Sequence, residues 1–152
     1  MKRLFFLSLI LIGMAAFSQS KDSENTPKKM VEDFFEAFHQ QDTVKLKEFA
    51  LESTILQSIS IDAEGNTALH TDSYEKFLKG IASIPKDASF QEKLHEFRIE
   101  ENNNALATVT TPYTFYFNGS RTHCGVNSFT LVKLDGEWKI AYLIDTRTKD
   151  CD

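Results

Sequence analysis

The sequence predicts an α+β domain whose helices pack on one face of a long antiparallel sheet. Two observations predict it. Apolar residues recur at helical spacing in the first half of the chain, at Met30, Val31, Phe34, Phe35 and Phe38 and again at Tyr74, Phe77, Leu78 and Ile81. The later half is one extended segment after another, divided by Asn118-Gly119 and Asp135-Gly136, dipeptides that favour the positive-φ turns of β-hairpins. Helices first and a meander last indicate segregated layers rather than alternating parallel units.

The chain opens with Lys2 and Arg3, an apolar run at residues 4–12 (LFFLSLILI), and the small residues of GMAAFS. Ala16 and Ser18 stand at the spacing a signal peptidase reads. Residues 1–18 are therefore expected to be a signal peptide cleaved near Ser18, giving a periplasmic or secreted product. The run is shorter than the about 20 residues of a spanning helix, so no stable membrane anchor is expected. Residues 19–27 (QSKDSENTP) form a polar, flexible leader, and residues 28–152 suit a single domain. The formal charge of −5 becomes two units more negative once Lys2 and Arg3 are removed. No basic cluster offsets it, which argues against nucleic acid as a partner.

Each element has a local cause. Pro27 suits a first helical turn with Thr26 as its cap. A short second helix runs from Asp42-Thr43 through Leu46 and Phe49. Residues 54–61 (TILQSISI) read as a strand, turned by Glu64-Gly65-Asn66 into a return strand through His70. Asp72 or Ser73 can cap a third helix that ends before Pro85. Residues 90–100, 105–117, 121–134 and 137–147 then follow as strands, with Asn102-Asn103-Asn104 as the first turn between them.

The doublet His123-Cys124 is the conspicuous chemical feature. Neighbours in a strand point to opposite faces, so these two do not form one nucleophilic dyad or chelate one metal. His39, His70 and His95 lie on separate elements, with no HExxH or CxxC spacing, so no metal is expected. Two cysteines in an exported chain pair by default, giving a Cys124–Cys151 disulfide. Centring the last hairpin on Asp135-Gly136 puts Cys124 opposite Thr146 or Arg147, so the tail at residues 148–150 must turn back to bring Cys151 near.

His123 could act as a general base if Asp145 fixed its tautomer, with Arg147 on the same face as Asp145. Register decides whether they meet. With a regular two-residue turn, His123 shares a face with Phe129, Leu131, Trp138, Ile140 and Tyr142, and Asp145 and Arg147 lie on the other face with Cys124. With a three-residue turn and a bulge, His123 sits opposite Arg147 with Asp145 alongside. The apolar pattern favours the first arrangement, and a bulge in so long a strand could restore the second. The alternative for His123 is a hydrogen-bonded residue at a barrel end, with Asp145 and Arg147 bracing the C-terminus. In TPYTFYFNG, Tyr113, Phe115 and Phe117 alternate with Thr114 and Tyr116, so one set lines the interior.

The element order, together with YTFYFNG, HCGVNSFTLVK, GEWKIAYLIDTR and the terminal cysteine, resembles the nuclear transport factor 2-like (cystatin-like) superfamily. Within it the chain looks like the exported bacterial branch labelled lumazine-binding. The resemblance covers residues 28–151. It implies a cone-shaped half-barrel in which a curved sheet and three helices enclose an apolar pocket. The superfamily holds ketosteroid isomerase, scytalone dehydratase, polyketide cyclases and non-enzymatic binding or dimerisation domains, so the fold leaves function open. Tyr113 with Asp145 is loosely similar to the isomerase's tyrosine and aspartate, yet neither that set nor the dehydratase's aligns residue by residue here.

Three readings follow. The first is a binding domain for a small apolar or heterocyclic molecule, with Tyr113, Phe115, Trp138 and Arg147 at the ligand and no cofactor. The second is an isomerase, dehydratase or cyclase using His123 and Asp145 to move a proton. The third is a homodimer or partner-binding module built on the sheet. A pocket filled by Phe and Trp would remove the first two.

Overall fold

The computed structural model describes residues 25–151. The expected signal peptide and residues 19–24 of the leader lie outside the described residues. Helix α1 (Pro27–His39) begins where Thr26 Oγ1 accepts the N–H of Lys29 at 3.2 Å, with proline in the first turn. Helix α2 (Thr43–Glu48) is capped by Asp42, and α3 (Tyr74–Ser83) by Ser73. The strands are β1 (Ala50–Ile61), β2 (Thr67–Ser73), β3 (Phe90–Leu94), β4 (Arg98–Asn102), β5 (Leu106–Phe117), β6 (Ser120–Leu134) and β7 (Glu137–Arg147). Among the described residues no helix is long and apolar enough to cross a membrane.

The strands form one curved, unclosed sheet in the order β2-β1-β7-β6-β5-β3, with β4 also paired to β5. Helices α1, α2 and α3 cover its inner face, giving the α+β cystatin-like fold that the sequence predicts. One pairing departs from the meander: β1 runs parallel to β7, closing the open edge of the final hairpin. The strand expected over residues 90–100 is also divided in two. Leu94 pairs with Tyr113 and Arg98 with Thr110, so Pro112 of β5 lies at the break. Proline has no N–H to offer the neighbouring strand, and only its carbonyl is used there, by the N–H of His95 at 3.0 Å.

Both hairpin dipeptides turn as expected. Asn118 and Gly119 have φ of 48° and 78°, Asp135 and Gly136 of 52° and 85°, the pattern of a two-residue turn with both centres left-handed. From the second turn, Lys133 faces Trp138 and Leu131 faces Ile140. Then Thr130 faces Tyr142, so Ala141 is an extra residue on β7. That single bulge decides the site. Before it, Trp138 and Ile140 share the inner face with Leu131; after it, Leu143, Asp145 and Arg147 take that face.

The core is aromatic. Phe34 and Phe35 of α1 pack edge-to-face on Phe129 of β6 at 5.9 and 6.0 Å, and Phe38 packs on Phe90 at 5.0 Å. Val31, Leu46, Val109, Phe129, Leu131 and Ile140 are fully enclosed. α2 is pinned by Leu46, whose carbonyl accepts the hydroxyl of Tyr74 at 2.5 Å.

Candidate functional site

Between α1, α3 and the inner face of the sheet lies a cavity of about 90 Å³. Its apolar wall is Phe34, Phe35, Phe38, Phe77, Leu56 and Leu143. Its polar end is Ser58, Glu92, Asn127, Asp145 and Arg147. Each polar residue arrives through strand alternation. Glu92 lies between inward Phe90 and Leu94 on β3, Asn127 two residues before Phe129 on β6, and Ser58 faces Asp145 in the parallel β1–β7 pair.

Asp145 is held from three sides. Tyr113 Oη donates to Oδ2 at 2.9 Å, Arg147 Nε donates to the same oxygen at 2.7 Å, and Ser58 Oγ donates to Oδ1. The Arg147 guanidinium also reaches Oδ1 through Nη2 at 3.4 Å. The Tyr113 hydroxyl lies within 2.9 Å of the Thr146 carbonyl as well. Burial, and then the neighbouring Asp145 and Glu92 charges, push the Tyr113 phenol up, so it stays protonated and donates.

Glu92 is held more lightly. Asn127 Nδ2 donates to its Oε1 at 2.6 Å, and its backbone N–H, on the free edge of β3, is received by His39 Nε2 at 2.9 Å. Desolvation raises the Glu92 carboxyl to about 7, Asn127 opposes that rise, and Asp145 adds to it. His39 is pulled down by burial. It accepts through Nε2, which requires the neutral ring.

His123 lies on the inner face with Phe129 and Leu131 of β6, and the Ala141 bulge brings Asp145 and Arg147 of β7 to that same face. In the regular register the last two would point outward with Cys124, and Tyr142 would point inward. Tyr142 instead pairs with Thr130, and its hydroxyl donates to Gln57. His123 does not take up Asp145. Its ring stacks on Phe115 at 4.9 Å and meets Tyr113 edge-on at 5.8 Å, and its Nδ1 lies 2.9 Å from Thr122 Oγ1. Burial, then Arg147, lower its basicity, and Asp145 opposes them at longer range.

Of the residues proposed from sequence for the ligand, Arg147 lines the polar end of the cavity and Tyr113 stands behind it, bonded to Asp145, whereas Phe115 stacks on His123 away from the lining. Trp138 is elsewhere. It is buried with Lys133 Nζ over its ring at 5.3 Å, and it lines an open groove with Met30, Lys45 and Phe49. Cys124 faces away from the cavity and is bonded to Cys151, with Cα atoms 5.7 Å apart. Its backbone pairs with Thr148 rather than with Thr146 or Arg147, which leaves Cys151 only a short turn away. Sequence reasoning missed Glu92, Asn127 and Ser58. For Glu92 and Asn127 the signal was there, a polar side chain at an apolar-parity position of a strand, whereas Ser58 shares its parity with Thr54 and Ser60 and the isoleucines of that strand hold the other.

No family model matches the chain, and no curated protein matches it. Solved structures do. A protein of unknown function with a cystatin-like fold from Nostoc punctiforme is 12% identical with a TM-score of 0.61, over 81% of this chain and 89% of that one. A candidate scytalone dehydratase from Novosphingobium aromaticivorans is 21% identical with a TM-score of 0.59, over 80% of each chain. A nuclear transport factor 2-like protein with a cystatin-like fold from the same organism is 11% identical with a TM-score of 0.60, over 86% and 84%. At these identities the likeness is one of fold.

Proposed function

We propose that the chain is exported and binds a small, largely apolar molecule in the cavity beneath α1 and α3. The observation that carries this reading is the cavity's division into an aromatic wall and a convergent polar end. At about 30 Å³ per water, its volume suits a molecule, or part of one, of a few heavy atoms. The lumazine-binding branch that the sequence resembles is a candidate source of heterocyclic ligands, of which this volume accepts a fragment unless α3 moves. Native mass spectrometry of protein purified from the periplasm tests the reading. A retained small molecule, lost in a Leu143→Trp variant that fills the cavity, supports it. Protein that binds nothing under any extraction condition, with a cavity closed to xenon, opposes it.

A second reading is favoured by the place of Glu92, a carboxyl lining the polar end of the cavity that burial pushes up to about 7. Such a group can both give and take a proton at neutral pH. An isomerase- or dehydratase-type reaction would then use Glu92 as the proton carrier, in place of the His123–Asp145 pair. Asp145 and Tyr113 would supply a fixed charge and a hydroxyl donor. The dehydratase among the structural neighbours is in keeping with this reading. Turnover of enolisable or dehydratable substrates that disappears in Glu92→Gln with the fold intact tests it.

A further inference from the structure

The polar end of the cavity holds two carboxyl groups and one cation. Among the described residues, Arg147 is the one cationic residue lining it, and the guanidinium is committed to Asp145 at 2.7 and 3.4 Å. Asp145 is further met by Tyr113 and Ser58. Glu92 accepts one side-chain hydrogen bond, from Asn127, and no positive side chain pairs with it among these contacts. His39 touches its backbone as a neutral acceptor and brings no charge. Between α1 and β3, Glu92 also borders a groove lined by Lys28, Glu32, Glu36, His39 and His95, in which Lys28 pairs with Glu32 at 3.6 Å. At Glu92 the field of Asp145 outweighs that of Arg147.

The opposite wall is built of rings. Phe77 stacks on Phe34 at 6.2 Å and on Phe38 at 6.1 Å. A carboxyl without a cationic partner beside an aromatic wall is the combination that holds organic ammonium groups, through a charge-assisted hydrogen bond and ring-quadrupole attraction. An anion would meet two carboxyls across the cavity. A neutral molecule would leave Glu92 as it stands.

Resting on the binding reading above, we propose that the cavity selects a small organic cation, an ammonium or a compact protonated nitrogen heterocycle, whose charge meets Glu92 and whose apolar part lies against Phe34, Phe38 and Phe77.

Three probes matched in length test it: propylammonium chloride, 1-propanol and sodium propionate. Each is titrated into the protein at constant ionic strength, with cavity methyl and ring resonances followed by NMR. The expected result is that propylammonium binds at least about ten-fold more tightly than propanol, with propionate weakest. Glu92→Gln should remove that preference and keep the affinity for propanol. Should that variant fail to fold, comparing the probes at about pH 5.5 and about pH 8.5 on the natural protein serves instead, since the preference grows as Glu92 ionises. Propanol or propionate binding as tightly as the amine overturns the cation inference and leaves the binding reading standing. Absence of binding by all three overturns both.

Discussion

Gly125 of β6 and Thr146 of β7 approach so closely that no side chain fits between them. A β-carbon on Gly125 would lie 1.7 Å from the Thr146 carbonyl oxygen and 2.6 Å from its carbon. That carbonyl takes the inward space and lies 2.9 Å from the Tyr113 hydroxyl. The glycine of HCG thus lets β7 come close enough for Asp145 to meet Tyr113.

Gly125→Ala should accordingly destabilise the domain by roughly 3–4 kcal/mol, because the obstacle is backbone that cannot rotate aside. Urea unfolding measures the loss. A change below about 0.5 kcal/mol, the range of neutral surface substitutions, would show that β7 does not approach this closely.

Tyr113→Phe removes the hydroxyl between Asp145 and Thr146 and leaves a buried carboxylate one donor short. The expected cost is about 2 kcal/mol. Combining it with Ser58→Ala should give a non-additive total, since both hydroxyls serve one carboxylate. Additive losses in a double-mutant cycle would separate the two contacts.

The pH dependence has a definite sign. The Glu92 carboxyl rises from 4.5 to about 7 on folding, so its contribution is fully present below about pH 4.5 and is lost as pH rises toward 7. His39 and His123 are shifted down by burial, so theirs is present above about 6.5 and is lost as pH falls. The two trends oppose each other in the natural protein. Glu92→Gln isolates the first: relative to the natural chain, the variant should gain stability between pH 4.5 and 7 and level off above. At about 1.4 kcal/mol per unit, the swing is on the order of a few kcal/mol. Chemical denaturation at several pH values reads it, and parallel curves would place Glu92 in contact with water.

Reduction of Cys124–Cys151, or Cys151→Ser, opens a loop of 27 residues' separation. The chain-entropy relation gives a loss of about 3.5 kcal/mol. The ligand cavity lies on the other face, so probe affinity should hold in the variant while the unfolding midpoint falls. Loss of both together would couple the bridge to the site.

Much of the fold was legible because its signals are local. Thr26 and Ser73 cap the helices as their residue types suggest, and Asn118-Gly119 and Asp135-Gly136 turn with both residues at positive φ. What escaped was non-local. The parallel seating of β1 beside β7 joins segments 86 residues apart at Thr54 and Ile140, with no turn between them to announce it. The position of Ala141 likewise follows from how β7 is gripped on both sides, by β6 and β1. Glu92 and Asn127 were visible as polar residues at apolar positions, but a sequence alone does not say whether such a residue faces a partner or a void.

Ala141 itself contributes no hydrogen bond, charge or ring to the cavity. Yet deleting it would shift the phase of all that follows, sending Asp145 and Arg147 to the outer surface and bringing Ile144 and Thr146 inward. A substitution scan would pass over this position as tolerant. Only removing or adding a residue would expose it as the point where the strand's numbering is set.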